Sequence, residues 1–102
     1  MKTKNQLIEL GIPEFRADAI MLLQSKMMEQ AVRFQFKKKD GTIREAFGTL
    51  VRDRMKQADG TLWEPKGEGS PEPATVIRYF DLDKGMWRCF TCADFIDILA
   101  LG

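Results

Sequence analysis

VRFQFKKKDGTIREAFGTL, residues 32–50, is the stretch on which the fold turns. Its first part alternates Val32, Phe34 and Phe36 with Arg33, Gln35 and Lys37, the period of two that a half-buried strand requires. Asp40-Gly41 is a tight-turn signal. Alternation resumes beyond it, with Ile43 and Phe47 on one side, expected to be the core side, and Arg44 and Ala46 on the other. Gly48 sits in mid-strand, where glycine marks a bulge or a bend. The stretch therefore reads as a hairpin, residues 31–51, with a bent second strand.

Upstream, residues 1–30 read as helical. Asn5 to Leu10 form a short helix stopped by Gly11, and Pro13 and Glu14 suit the first turn of a second. Phe15, Ala19, Ile20, Leu22, Leu23, Met27 and Ala31 then recur at spacings of three and four, a stripe that must pack on a sheet. Downstream, residues 52–73 hold three prolines, three glycines and few apolar residues besides Met55, Leu62 and Trp63. They read as a long loop, pinned at Leu62-Trp63. Residues 74–102 supply the remaining strands: ATVIRYFD, then MWRCF after a DLDKG turn, then IDILAL after a helical turn at TCADF.

Helix followed by five short antiparallel strands, one of them bent, predicts one α+β, mainly β, domain over 1–102. The expected architecture is a five-stranded SH3/Sm-like barrel, because closure removes exposed strand edges. Phe15, Ile20, Leu23, Val32, Phe34, Phe36, Ile43, Phe47, Ile77, Phe90, Phe95 and Ile98 are its expected core.

Composition excludes several functions. Net charge is +1, which gives no global attraction to nucleic acid or an anionic membrane. No apolar run approaches the ~18–20 residues of a membrane span, and the start lacks the apolar core of a signal peptide. Two cysteines without an export signal fit a reducing cytoplasm. There is no histidine, the commonest general base and metal ligand. No phosphate loop, dinucleotide fingerprint or nucleophile elbow occurs, so neither an enzyme nor a cofactor is expected.

Cys89-Phe90-Thr91-Cys92 has redox spacing but lies in a strand without the βαβ context of a thioredoxin motif, and two thiols fall short of a four-ligand zinc site. The thiols read as bystanders; a redox- or metal-linked dimer is the weakest alternative. LIELGIPEFRADAIMLL has the outline of a helix-turn-helix, yet its first helix is barely two turns and no third follows. A helical cap over the barrel suits it better.

The basic cluster carries more. Between Arg33 and Arg54 seven cations stand against three carboxylates. Near Arg33, Lys37 and Arg44 in the sequence lie the aromatics Phe34, Phe36, Tyr79 and Trp87. Cations beside aromatic platforms suit single-stranded nucleic acid or a nucleotide, by phosphate contact and base stacking. Arg88 either takes a phosphate or carboxylate bidentately or staples the turn through Asp81, Asp83 or Asp94.

VRFQFKKKDGTIREAFGTL together with VIRYFDLDKGMWRCFTCADFIDI resembles a bacterial family of small WYL-like proteins with an Sm/SH3-type barrel, long listed as of unknown function. The second stretch is similar to the end of ordinary WYL domains at Asp81, Gly85, Trp87, Arg88, Phe90 and Ile96. The Trp-Tyr-Leu triplet is absent; the strand reads Thr75-Val76-Ile77. WYL domains are regulatory modules, usually joined to a DNA-binding helix-turn-helix and thought to sense nucleotide or nucleic-acid ligands. The resemblance thus implies transcription regulation and makes Arg88 the leading ligand contact. The expected function is a non-enzymatic regulatory or accessory domain binding a nucleotide or single-stranded nucleic acid through Arg88, Trp87, Arg33, Lys37, Arg44 and Tyr79. The alternative is a protein-interaction barrel, including a homo-oligomer that pairs through a strand edge as Sm-like barrels do.

Overall fold

A computed structural model describes residues 1–67 and 69–101. Two helices, α1 (Lys4–Glu9) and α2 (Glu14–Met27), precede strands β1 (Val32–Lys37), β2 (Ile43–Thr49), β3 (Val76–Asp81), β4 (Met86–Thr91) and β5 (Phe95–Leu101). Short 3-10 turns occupy Arg52–Arg54 and Cys92–Asp94. α1 starts on a reciprocal cap: Thr3 Oγ1 accepts from the Gln6 N–H while Gln6 Oε1 accepts from the Thr3 N–H.

α2 buries Ala17, Ile20, Leu23, Gln24 and Met27. Phe15, expected in that stripe, is 71% exposed. The reason is angular: Phe15 precedes Ile20 by five positions and so projects ~140° round the helix from it. Gln24 is buried for its amide, which accepts from the Lys2 N–H and donates to the Lys2 carbonyl, both at 3.0 Å. Lys2 continues the tie, its buried ammonium reaching Glu72 Oε1 at 2.7 Å and the Pro73 carbonyl at 2.8 Å. Glu72 Oε2 accepts in turn from the Arg78 N–H at 2.8 Å.

The sheet is antiparallel with order β4-β3-β2-β1-β5. Residues 43–48 of β2 pair with β1, and Gly48 and Thr49 pair with Asp81 and Phe80 of β3. The strand changes partner at Gly48, which is the expected bend. Thr49 is wholly buried there; its hydroxyl lies 3.0 Å from the Gln30 carbonyl and accepts from the Val51 N–H at 3.0 Å. That fastens the bend to the chain leaving α2.

The inward side of β2 is the reverse of the sequence expectation. Ala46 and Gly48 face the core, Phe47 is half-buried on the outside, and Ile43 is 62% exposed. Rings already fill the interior: Phe34 against Tyr79 with centroids 5.1 Å apart, Phe36 on Phe90 at 5.2 Å, Phe90 by Phe95 at 5.8 Å. A strand passing that close must contribute small side chains. A Cβ on Gly48 would stand 2.6 Å from Tyr79 Cδ2. The other expected core residues are buried, with Ile98 packed on the core from a half-buried position.

The hydrogen-bond ladder does not close, contrary to the expectation of an edgeless barrel: β4 and β5 are the two edges of the curled sheet. Phe90 and Phe95 meet across the seam, and the Cys92 N–H donates to the Thr75 carbonyl at 2.8 Å. Register shifts in the β1–β5 pairing distort β5 beside Ile96 and Leu99.

Within 52–73, residues 55–63 fold as a small hairpin strap. The Trp63 N–H donates to the Met55 carbonyl at 2.8 Å, Lys56 bridges Leu62, and Met55 is buried. Trp63 stands edge-on to Trp87 at 5.2 Å, whereas Leu62 is half exposed. The strap's Asp59-Gly60-Thr61 turn repeats the geometry of Asp40-Gly41-Thr42. In both, the threonine N–H and hydroxyl donate to the aspartate Oδ1, and the glycine has φ near +90°, at +88° and +89°. Among the described residues no helix is long and apolar enough to cross a membrane.

Candidate functional site

Strand register decides which charges meet. Phe36 stands opposite Arg44 across β1–β2, and Tyr79 opposite Arg88 across β3–β4. Cross-strand partners share a face, so both arginines lie on the core side of the sheet and reach its rim. With Lys37 at the end of β1 and Lys38 and Lys39 of the β1–β2 turn they line a cavity of ≈ 270 Å³. Phe36, Val76 and Phe90 form its apolar wall, and Cys89, Thr91 and Asp94 complete it. Five cations therefore face one carboxylate.

Arg44 answers the question of the aspartate turn. Its guanidinium donates to Asp81 Oδ2, while Asp81 Oδ1 accepts from the N–H groups of Asp83 at 2.9 Å and Lys84 at 3.0 Å. Asp81 is fully buried, a position a carboxylate tolerates only when paired and hydrogen-bonded like this. Arg44, not Arg88, is the staple. Arg88 is exposed and has no carboxylate partner among the described residues.

Tyr79 lies beneath this rim. It is wholly buried and its hydroxyl has no partner among the described residues. Burial pushes its pKa up to about 12; Arg44 and Arg88 oppose the shift and Asp81 adds to it.

Two sequence candidates lie elsewhere. Arg33 is on the outer face, its guanidinium 4.5 Å over the Phe47 ring and 3.6 Å from Glu45. Trp87 precedes Arg88 by one residue, so alternation turns it to the opposite face, edge-on to Phe80 at 5.8 Å and under Trp63. Its indole N–H has no partner among the described residues and lies beside a second cavity lined by Met28, Leu50 and Ile77.

Cys89 is exposed and Cys92 buried, both as free thiols, and burial pushes the Cys92 thiol pKa up. Among the described residues no group of three His, Cys, Asp or Glu could hold a metal ion.

Sequence reasoning counted Lys38 and Lys39 in the basic cluster without naming them as ligand contacts, and named Asp94 only as one alternative staple for Arg88; Phe36 is in the core as expected and also lines the cavity. No signal for the register was present: counting outward from Asp40-Gly41 as a two-residue turn sets Phe36 opposite Glu45, whereas the connection is three residues long, Lys39-Asp40-Gly41, and sets it opposite Arg44. Asp94 carried none, because its position depends on how the seam curls.

No curated protein and no solved structure matches the chain. Residues 20–96 match a family model described as WYL_2, Sm-like SH3 beta-barrel fold. That span includes most of α2, the hairpin and every residue of the rim, and the curled five-stranded sheet agrees with the description. The chain belongs to the WYL_2 family of Sm-like SH3 β-barrels.

Proposed function

We propose that this barrel is a non-enzymatic regulatory or accessory domain that binds a nucleotide or single-stranded nucleic acid at the rim between Arg44 and Arg88. One observation carries the reading. Cations from β1, its turn, β2 and β4 converge on a single cavity with an aromatic wall, although the whole chain is almost neutral. Phosphates suit the cations, and the ring edges that Phe36 and Phe90 leave at the cavity give a base an apolar wall to rest against, their faces being taken up in the core. Asp81 holds Arg44 in place, so one phosphate-binding group is oriented before the ligand arrives.

The test is fluorescence anisotropy with labelled single-stranded DNA and RNA at ~50 and ~200 mM salt. Three phosphate contacts would give about a twentyfold loss of affinity over that range. Arg88→Ala should weaken binding and flatten the salt slope by about 0.7, while its stability stays within about 0.5 kcal/mol of wild type because the side chain is exposed. Absence of salt-sensitive binding to either probe would sink the nucleic-acid half of the reading and leave a small nucleotide as the ligand. The second reading, a protein-interaction or self-associating module, is favoured by the two unpaired edges at β4 and β5. Hydrodynamic size that grows with concentration would support it.

A further inference from the structure

Asp94 is the anomaly of the rim. It lies in the 3-10 turn between β4 and β5 and lines the same cavity as five cationic side chains. A carboxylate placed only to balance charge would pair with one of them. Arg44 pairs instead with Asp81, and Lys38 with Asp40 at 4.0 Å. Asp94 makes no ion pair or side-chain hydrogen bond among the described residues, and it is half-buried rather than free in solvent. The cavity thus presents donors in plenty and one uncommitted acceptor.

We infer that Asp94 reads the base of the bound ligand and gives the site a preference for guanine. This rests on the nucleotide-binding reading of the same rim. An ionised carboxylate only accepts hydrogen bonds, through two oxygens side by side. Guanine offers the matching edge, its N1–H and N2–H next to one another, so one carboxylate takes both. Adenine and cytosine set their amine beside a ring nitrogen that only accepts, leaving one productive bond. Thymine and uracil place a single N–H between two carbonyls, which turn lone pairs toward the carboxylate. At ≈ 270 Å³ the cavity is below the ~300–1,000 Å³ of drug-sized sites, room for one base rather than a stack. The cations meanwhile take phosphate, for which base identity is irrelevant.

The experiment measures anisotropy of a short labelled thymidine oligonucleotide and of versions with one central guanosine, adenosine or cytidine. Guanosine should tighten binding by about tenfold over the all-thymidine strand, with adenosine and cytidine between. Asp94→Asn should erase that ratio, and Arg88→Ala should weaken every strand while leaving the ratio intact. Four strands that bind wild type alike, with the expected salt and Arg88 dependence, overturn the role of Asp94 and leave the proposed function standing. An Asp94→Asn protein that binds all four tighter by one common factor does the same, since the carboxylate is then only a repulsive charge. Failure of every strand to bind wild type overturns the inference for single strands together with the nucleic-acid half of the proposed function. The wild-type comparison needs no variant, so misfolding of Asp94→Asn cannot shelter the inference.

Discussion

Alanine at Gly48 puts a methyl group 2.6 Å from Tyr79 Cδ2 and 3.2 Å from Phe34 Cε1, both ring atoms locked in the core. Neither ring has open space to retreat into, so Gly48→Ala should cost about 1–3 kcal/mol, read as a lower urea midpoint at unchanged slope. Tyr79 itself makes a pH prediction. Below pH 10 its phenol is neutral in both states and contributes no slope. Above pH 10 the unfolded phenol ionises while the folded one, with a pKa of about 12, does not. Stability should fall between those values by up to about 2–3 kcal/mol and then level off. Comparing wild type with Tyr79→Phe across pH 9–12 isolates this contribution from that of every other group. A phenylalanine variant with the same steep loss would show that another group is responsible.

At the scale of elements, Glu72 joins three segments: Lys2 ahead of α1, its own proline-flanked stretch, and the start of β3. Glu72→Ala strands an ammonium that is only 6% exposed, an uncompensated charge worth about 3–5 kcal/mol when buried. Lys2→Met removes the charge with its burial problem, and Glu72 keeps its bond to the Arg78 N–H, so the loss should be much smaller. Urea unfolding of the pair checks the asymmetry; equal losses would mean that the ammonium finds water. The same scale explains what the sequence disclosed. The hairpin, the five strands and the bend at Gly48 were legible because alternation and turn chemistry are local. The inward side of β2 was not, since ranking Ile43 and Phe47 above Ala46 and Gly48 by hydrophobicity ignores what already fills the interior. Phe15 failed for a related reason: its spacing counts toward a stripe that its angle leaves. Of the rim, Lys37, Arg44 and Arg88 were legible as residue types beside aromatics. Trp87 was grouped with Arg88 by adjacency, though neighbours in a strand face opposite ways.

For the whole molecule, a net charge of +1 conceals an uneven distribution. Five cations line one rim, of which Arg44 and Lys38 are paired with Asp81 and Asp40, while Lys4, Lys26 and Arg33 are engaged with nearby acids elsewhere. Long-range attraction should therefore be weak and local capture strong. The strand order has another consequence, which concerns time. β1 takes β2 as one neighbour and β5 as the other, so Phe36 pairs with Phe95. On a ribosome adding ~5–20 residues per second, the second neighbour of β1 is made several seconds after the first. Throughout that interval a strand carrying Phe34 and Phe36 waits with one flank bare, and only the last residues of the barrel to be synthesised can cover it.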